Sequence, residues 1–226
     1  MSGIAALGGV VLVTLVLAAS AAAQEKPLAP DLRALAAGKG GPVPPEATLA
    51  WVEDARGRPA LHVQSRKDDT VVLLDGVTLG NGTIDVDVLG QSGPPQSNFL
   101  GIAFRVADAQ RHDAVYLRPF NFRAPTPEQR SHAVQYISAP LYHWEVLRTT
   151  HPGEYEKPIE PPPDGDSWVH LRILLEKPQV RVYVNGAAEP SLIVNELSER
   201  SGGAVGLWVG PGVGGYFANV KITPAR

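Results

Sequence analysis

The side chains best suited to chemistry are concentrated between positions 105 and 144 of the chain. Because alternate residues of a strand share a face, Tyr116 and Arg118 lie on one side of a predicted strand. A sugar ring is bound by an aromatic plane against its C–H face and by planar guanidinium or amide groups at neighbouring hydroxyls. The cluster therefore predicts a ligand groove, lined by Arg105, Tyr116, Arg118, Asn121, Gln135 and Trp144.

Arg105 and Arg118 also have a purely structural interpretation. Both would then form ion pairs on an exposed sheet face, with Asp85, Asp87 or Asp113 as partners. We favour the groove because polar groups that converge on one sheet are typical of a binding site.

Two histidines near the cluster, His132 and His143, are candidates for a general acid or base, with an ordinary surface position as the alternative. The histidines show no metal-ligand spacing, so the sequence predicts no metal site and no cofactor. The segment Asp164-Gly165-Asp166 offers oxygen atoms of the kind that bind calcium, but such a segment is more often a plain acidic turn.

Asp85 and Asp87 are two residues apart in a predicted strand and so share a face. Paired carboxylates of this kind would suit a glycoside hydrolase. No glutamate flanks the pair, since Leu89 and Gly90 follow it. Solvated carboxylates on a sheet face are therefore the better interpretation.

Composition excludes several classes of protein. The chain has 226 residues, with 20 basic and 23 acidic side chains and a net charge of −3, so it lacks a basic field for nucleic acid or anionic lipid. Without cysteine it has no disulfides and no thiolate nucleophile. The 23 glycines and 21 prolines disfavour a helical bundle.

The N-terminus resembles a secretory signal peptide. An uncharged apolar run, Ile4–Ala18, precedes the small residues Ala19–Ala23 and then a polar segment. We predict a signal peptide over 1–23 and a secreted or periplasmic protein. The alternative is an uncleaved membrane anchor, and the protein would then associate with a membrane only through this N-terminal segment. We predict that residues 24–47 form an irregular lead-in or linker, with one helical turn at Leu32–Ala37.

From residue 48 to 226 the sequence predicts one all-β domain. Short alternating runs recur about every ten residues between turn residues, which indicates an antiparallel two-sheet sandwich. Asn185-Gly186 predicts a type I′ hairpin turn. The predicted strands are Ala60–Val63, Val71–Leu74, Thr83–Val88, Leu100–Arg105, Ala114–Pro119, Ala133–Ser138, Glu145–Thr149, Trp168–Leu175, Val180–Val184, Ala204–Val209 and Phe217–Ile222.

Five of these segments resemble the strands of concanavalin A-like lectin/glucanase jelly rolls: Gly82–Val88, Asn98–Arg105, Tyr183–Gly186, Gly206–Gly210 and Phe217–Ile222. Within that superfamily the chain is similar to laminin G-like and 3-keto-disaccharide hydrolase domains. The resemblance implies two antiparallel sheets, with ligand bound on the concave one. It also implies that Arg105 and Gln135 face that groove.

Three functions follow as hypotheses. The first is an exported jelly-roll domain that binds a glycan or small glycoside on its concave sheet. The second is a hydrolase or lyase of 3-keto-glycosides, with His132 or His143 as base and Arg118 as oxyanion stabiliser. The third is an envelope scaffold or adhesion module without a small ligand.

Overall fold

The computed structural model of the chain describes residues 27–225. The predicted signal peptide, 1–23, lies outside the described residues. Two stacked antiparallel sheets form the domain. In spatial order, the seven-stranded sheet contains β1 (Ala47–Val52), β2 (Ala60–Ser65), β13 (Gly214–Pro224), β4 (Gly82–Leu89), β9 (Trp168–Glu176), β10 (Gln179–Val184) and β11 (Leu192–Asn195). The six-stranded sheet contains β3 (Thr70–Leu79), β12 (Gly203–Val209), β5 (Leu100–Val106), β6 (Asp113–Leu117), β7 (Val134–Ser138) and β8 (Glu156–Lys157).

Alternation along the strands decides which side chains enter the core. In β9 the aliphatic residues from Val169 to Leu175 are buried, while their polar neighbours point outward. Val180, Val182 and Val184 are buried in the same way on β10, which pairs with β9. The turn between β10 and β11 begins with Asn185 and Gly186 at φ values of 52° and 71°, as a type I′ turn requires. The predicted all-β sandwich is confirmed.

The lead-in segment packs on the sandwich. Leu28 exchanges two backbone hydrogen bonds of 2.8 Å with Ile222. The helix α1 (Leu32–Ala36) confirms the predicted helical turn, and the Asp31 carboxylate caps its first turn. Leu32 and Leu35 are buried in the core.

One predicted strand is wrong. Glu145–Thr149 lies within the helix α3 (Trp144–Thr150), although Val146, Thr149 and Thr150 favour strands. Helical geometry lets the Thr149 and Thr150 hydroxyls donate to the carbonyls four residues earlier, and it buries Leu147 against the sheet.

Other local structure was not predicted. The short strands β1, β8 and β11 were missed, as was the helix α2 (Pro127–Arg130). A 3₁₀ turn, Pro119–Asn121, follows β6. Within residues 27–225 no helix has the length and apolar character needed to span a membrane.

Candidate functional site

The candidate site lies on the outer face of the six-stranded sheet, and a glycine shapes its floor. Gly101 on β5 pairs with Tyr116 of β6 on one side and with Trp208 of β12 on the other. Because Gly101 has no side chain, the two aromatic rings meet above it, stacked at 4.5 Å between centroids and 26° between planes. A Cβ at Gly101 would lie 2.6 Å from the Cα of Tyr116. The result is a flat aromatic floor.

One cavity lies above this floor, and a second cavity adjoins it; the two share Phe99 and Trp144. We call them the aromatic cavity and the cationic cavity, and together the groove. The aromatic cavity, about 520 Å³, is lined by Asp69, Phe99, Tyr116, Ile137, His143, Trp144, Glu145, Val146, Trp208 and Pro211. The cationic cavity, about 150 Å³, is lined by Pro95, Gln96, Phe99, Arg118, Phe120, Asn121, Gln129, His132, Trp144 and Arg148.

Glu156 is the centre of the polar network beside the cationic cavity. The Nε and Nη2 atoms of Arg148 donate to its two oxygens at 2.8 and 2.9 Å. Arg118 Nη1 lies 3.5 Å from the same carboxylate, and His132 Nδ1 lies 2.8 Å from it. Glu156 is buried on the edge strand β8, where it pairs with Gln135. One carboxylate is therefore shared by two guanidinium groups and an imidazole.

Arg118 joins the floor to this network. Its Nη2 donates to the Tyr116 hydroxyl at 2.8 Å, and its Nη1 donates to the His132 carbonyl at 3.1 Å. Its Cζ lies 5.0 Å from the Tyr116 ring centroid. Burial lowers the pKa of Arg118, although an arginine remains charged at neutral pH. Burial raises the pKa of Tyr116 to about 12, so its phenol stays neutral.

The two candidate histidines occupy different parts of the groove. Burial lowers the pKa of His132 and the Glu156 carboxylate opposes that shift, so the imidazole is neutral at pH 7. His143 precedes α3 as its N-cap residue and lines the aromatic cavity. Of these two histidines, only His132 has a carboxylate at hydrogen-bond distance among the described residues.

The structure brings seven of the eight predicted site residues to this face. Trp144 lines both cavities and is 40% exposed. The prediction that Gln135 lines the groove is wrong, because its side chain is fully buried, 3.5 Å from the Tyr116 hydroxyl, and lines neither cavity. Asn121 lies in the 3₁₀ turn and donates to the His132 carbonyl at 3.4 Å. Sequence reasoning missed Glu156, Trp208, Phe99 and Arg148.

The prediction that Arg105 faces the groove is wrong. Its guanidinium is fully buried and donates twice to the equally buried Glu196 carboxylate, at 2.7 Å each. The cause is a bulge, in which Phe104 and Arg105 of β5 stand opposite the single residue Val205 of β12. Arg105 adopts a φ of 49° in the bulge, and its side chain therefore no longer shares a sheet face with Ala103, as regular alternation would require. The alternative, in which Arg105 and Arg118 pair with Asp85, Asp87 or Asp113, is wrong too, since Arg105 pairs with Glu196 and Arg118 contacts Glu156.

Asp85 and Asp87 lie on the opposite sheet, on its outer face. His170 contacts both, with Nδ1 2.7 Å from Asp87 and Nε2 3.3 Å from Asp85, while Arg172 Nε donates to Asp85 at 2.8 Å. Arg58 pairs with Asp87 at 2.5 Å. Both carboxylates therefore lie on a sheet face, as predicted, but the prediction that they are solvated is wrong, since Asp85 is buried and both are ion-paired.

A cavity of about 570 Å³ lies over that opposite face, slightly larger than the aromatic cavity. It is lined by Lys221 and by Asp85, which already contacts His170 and Arg172, and its aromatic side chain apart from His170 is the half-buried Tyr183. We therefore place the candidate site in the groove, where aromatic planes and polar groups are combined.

The acidic turn at Asp164–Asp166 uses its oxygens within the protein. Asp164 accepts from the Asp166 amide at 2.9 Å, and Asp166 accepts from Ser92 and lies 3.6 Å from Arg56. Across residues 27–225, no group of three or more acidic, histidine or cysteine side chains is arranged to hold a metal ion.

Comparisons with known proteins place the fold. No family model and no curated protein sequence matches the chain. Among solved structures, the carbohydrate-binding module CBM66 from Bacillus subtilis matches with a TM-score of 0.53 and 16% identity, over 79% of this chain and 95% of that one. The chain therefore shares a two-sheet jelly-roll fold with this module.

Two further solved structures also match the chain. A sialidase matches with a TM-score of 0.50 and 12% identity, over 81% of this chain but only 16% of that larger one. A β-glucanase from Bacillus licheniformis matches with a TM-score of 0.45 and 10% identity, over 80% of this chain and 83% of that one. At these identities the likeness is one of fold.

Proposed function

We propose that this jelly roll is an exported carbohydrate-binding domain that takes a saccharide in the groove. The observation that carries the proposal is the junction of the two cavities at Trp144, where aromatic surface adjoins guanidinium and amide groups. Carbohydrate rings need both kinds of group within one ring's reach. The fold that the chain shares with a carbohydrate-binding module supports the proposal.

Each groove residue has a proposed part in binding. The Trp144 ring stacks on the apolar face of the sugar, above the floor of Tyr116 and Trp208. Arg118 and Asn121 donate to sugar hydroxyls from the cationic cavity. Gln135 lies beneath them and positions the Tyr116 hydroxyl.

Export rests on the N-terminal sequence. The uncharged run Ile4–Ala18 followed by small residues supports a signal peptide and a secreted or periplasmic location. The net charge of −3 argues against a nucleic acid as partner, and the partner proposed is a glycan or small glycoside.

An NMR titration of the full chain with a pool of plain and 3-keto glycosides tests binding and turnover together. In this assay Trp144→Ala is expected to weaken binding at least tenfold, because stacking anchors carry most of the affinity of a site. Leu141→Ala is the matched control, since Leu141 is an exposed apolar residue three positions away that lines neither cavity. Equal loss in both variants contradicts the stacking role of Trp144.

An enzyme acting on 3-keto-glycosides is the second candidate, and the contact between His132 and Glu156 favours it. Nδ1 lies 2.8 Å from the Glu156 carboxylate, and this proximity favours the tautomer that carries its proton on Nδ1 and leaves Nε2 as a base. The 3-keto group acidifies the C2–H bond, so Nε2 takes that proton while Arg118 stabilises the enolate oxygen. When the enolate collapses, the C1–O bond breaks and the aglycone leaves with the bonding electron pair.

The same titration separates the candidates. Conversion of the keto sugars that is lost in His132→Gln, with binding retained, establishes the enzyme. Shifts of protein signals without conversion establish the binding domain. Silence in both channels favours the scaffold and contradicts both.

A further inference from the structure

The cationic cavity carries more positive charge than its surroundings neutralise. Arg118, Arg148 and His132 line it, and no carboxylate does so among the described residues. Among the described residues, Arg118 and Arg148 form ion pairs with the same carboxylate, that of Glu156. With His132 neutral, two positive charges share one negative charge, which leaves a net charge of about +1.

The excess charge is costly because the group that carries it is buried. The Arg118 side chain is 4% exposed and lies 3.5 Å from Glu156, whose two oxygens are bound by Arg148. A buried charge without a full partner destabilises a protein. An anionic ligand group in the cavity would supply the missing partner.

The aromatic cavity has the opposite character. Asp69 and Glu145 line it, together with Trp144 and Trp208. A ligand with one negative end therefore has a single favourable direction in the groove, with that end beside Arg118 and its ring on the aromatic surface. The planar guanidinium groups match a carboxylate, with which they form paired hydrogen bonds.

We propose that the saccharide bound in the groove carries a carboxylate, as a uronic acid does, and that this carboxylate sits in the cationic cavity between Arg118 and Arg148. The inference rests on the proposed carbohydrate-binding function and adds the chemical class of its ligand.

The test compares oligogalacturonate with its methyl ester, by isothermal titration of the full chain at low salt. The two probes have the same rings and hydroxyls, and differ by the methyl group that removes the charge of each carboxylate. We expect the acid to bind at least tenfold tighter than the ester, with an advantage that shrinks as salt screens the charges. Neutral gluco-oligosaccharides are titrated in parallel.

Two variants locate the effect. Arg148→Gln removes one charge from the cavity and is expected to abolish most of the preference for the acid. Arg172→Gln removes one charge from the exposed face of the opposite sheet and should leave the preference unchanged. The comparison of acid with ester in the unmodified chain stands even if Arg148→Gln does not fold.

Every outcome is decisive. Equal affinity for acid and ester overturns the inference while carbohydrate binding stands. A preference reduced equally by both variants also overturns it, since that result indicates long-range attraction and no site. If no saccharide binds at all, the proposed function itself fails.

Discussion

Replacing Arg105 by methionine should destabilise the fold without affecting ligand binding. Arg105 and Glu196 are both fully buried and joined by two hydrogen bonds of 2.7 Å. Methionine roughly fills the space of the arginine stem but leaves the Glu196 carboxylate without its main partner. Loss of one member of a buried ion pair costs about 3–5 kcal/mol.

The structure places the expected loss near the lower end of that range. Lys177 Nζ lies 3.6 Å from Glu196 and remains as a partial partner. We expect a loss of about 3 kcal/mol, which for a domain of this size lowers Tm by about 6–12 °C. Urea unfolding followed by tryptophan fluorescence measures the change.

The double variant Arg105→Met/Glu196→Met should recover most of this loss, because it removes both charges together. Saccharide affinity of the single variant, measured well below its Tm, should match that of the unmodified chain. A variant with unchanged stability and abolished binding would refute the reasoning and return Arg105 to the groove.

Two further predictions concern stability. Burial lowers the pKa of His112 below 6.5, so the unfolded chain binds this proton at higher pH than the folded one. The contribution of His112 to the free energy of unfolding is therefore complete above about pH 6.5 and is lost as the pH falls towards the folded-state pKa. The urea midpoints at pH 7.5 and pH 5.5 should differ less in His112→Leu than in the unmodified chain. Gly101→Ala would place a Cβ 2.0 Å from the Val115 carbonyl oxygen and should cost about 1–3 kcal/mol in urea unfolding. Gly202→Ala, whose Cβ comes no nearer than 3.4 Å to its neighbours, is the control, and equal losses would contradict the crowding at Gly101.

Local patterns determined the class of fold. The aliphatic alternation of β9 and β10 determined which face of each strand is buried. A strand has only two faces, and the hydrophobic effect drives the aliphatic face out of water. Asn185-Gly186 fixed a turn, because few residues tolerate two consecutive positive φ values. Such features need no knowledge of distant residues.

The candidate site depended on features that alternation does not encode. A bulge at Arg105 interrupted the period of two and moved a predicted groove residue into a buried ion pair. The segment Trp144–Thr150 became a helix because it covers the sheet through Leu147, although its β-branched residues favour a strand.

The sequence by itself determined that the chain is an all-β sandwich and that aromatic and planar polar residues gather near Tyr116. Only the tertiary structure placed Trp208 beside Tyr116 across Gly101, and Glu156 beside Arg118. Trp208 lies 92 positions and Glu156 lies 38 positions beyond those partners in the sequence. Contacts of this kind follow from strand order and register, which depend on the packing of the whole core and not on the residues that meet.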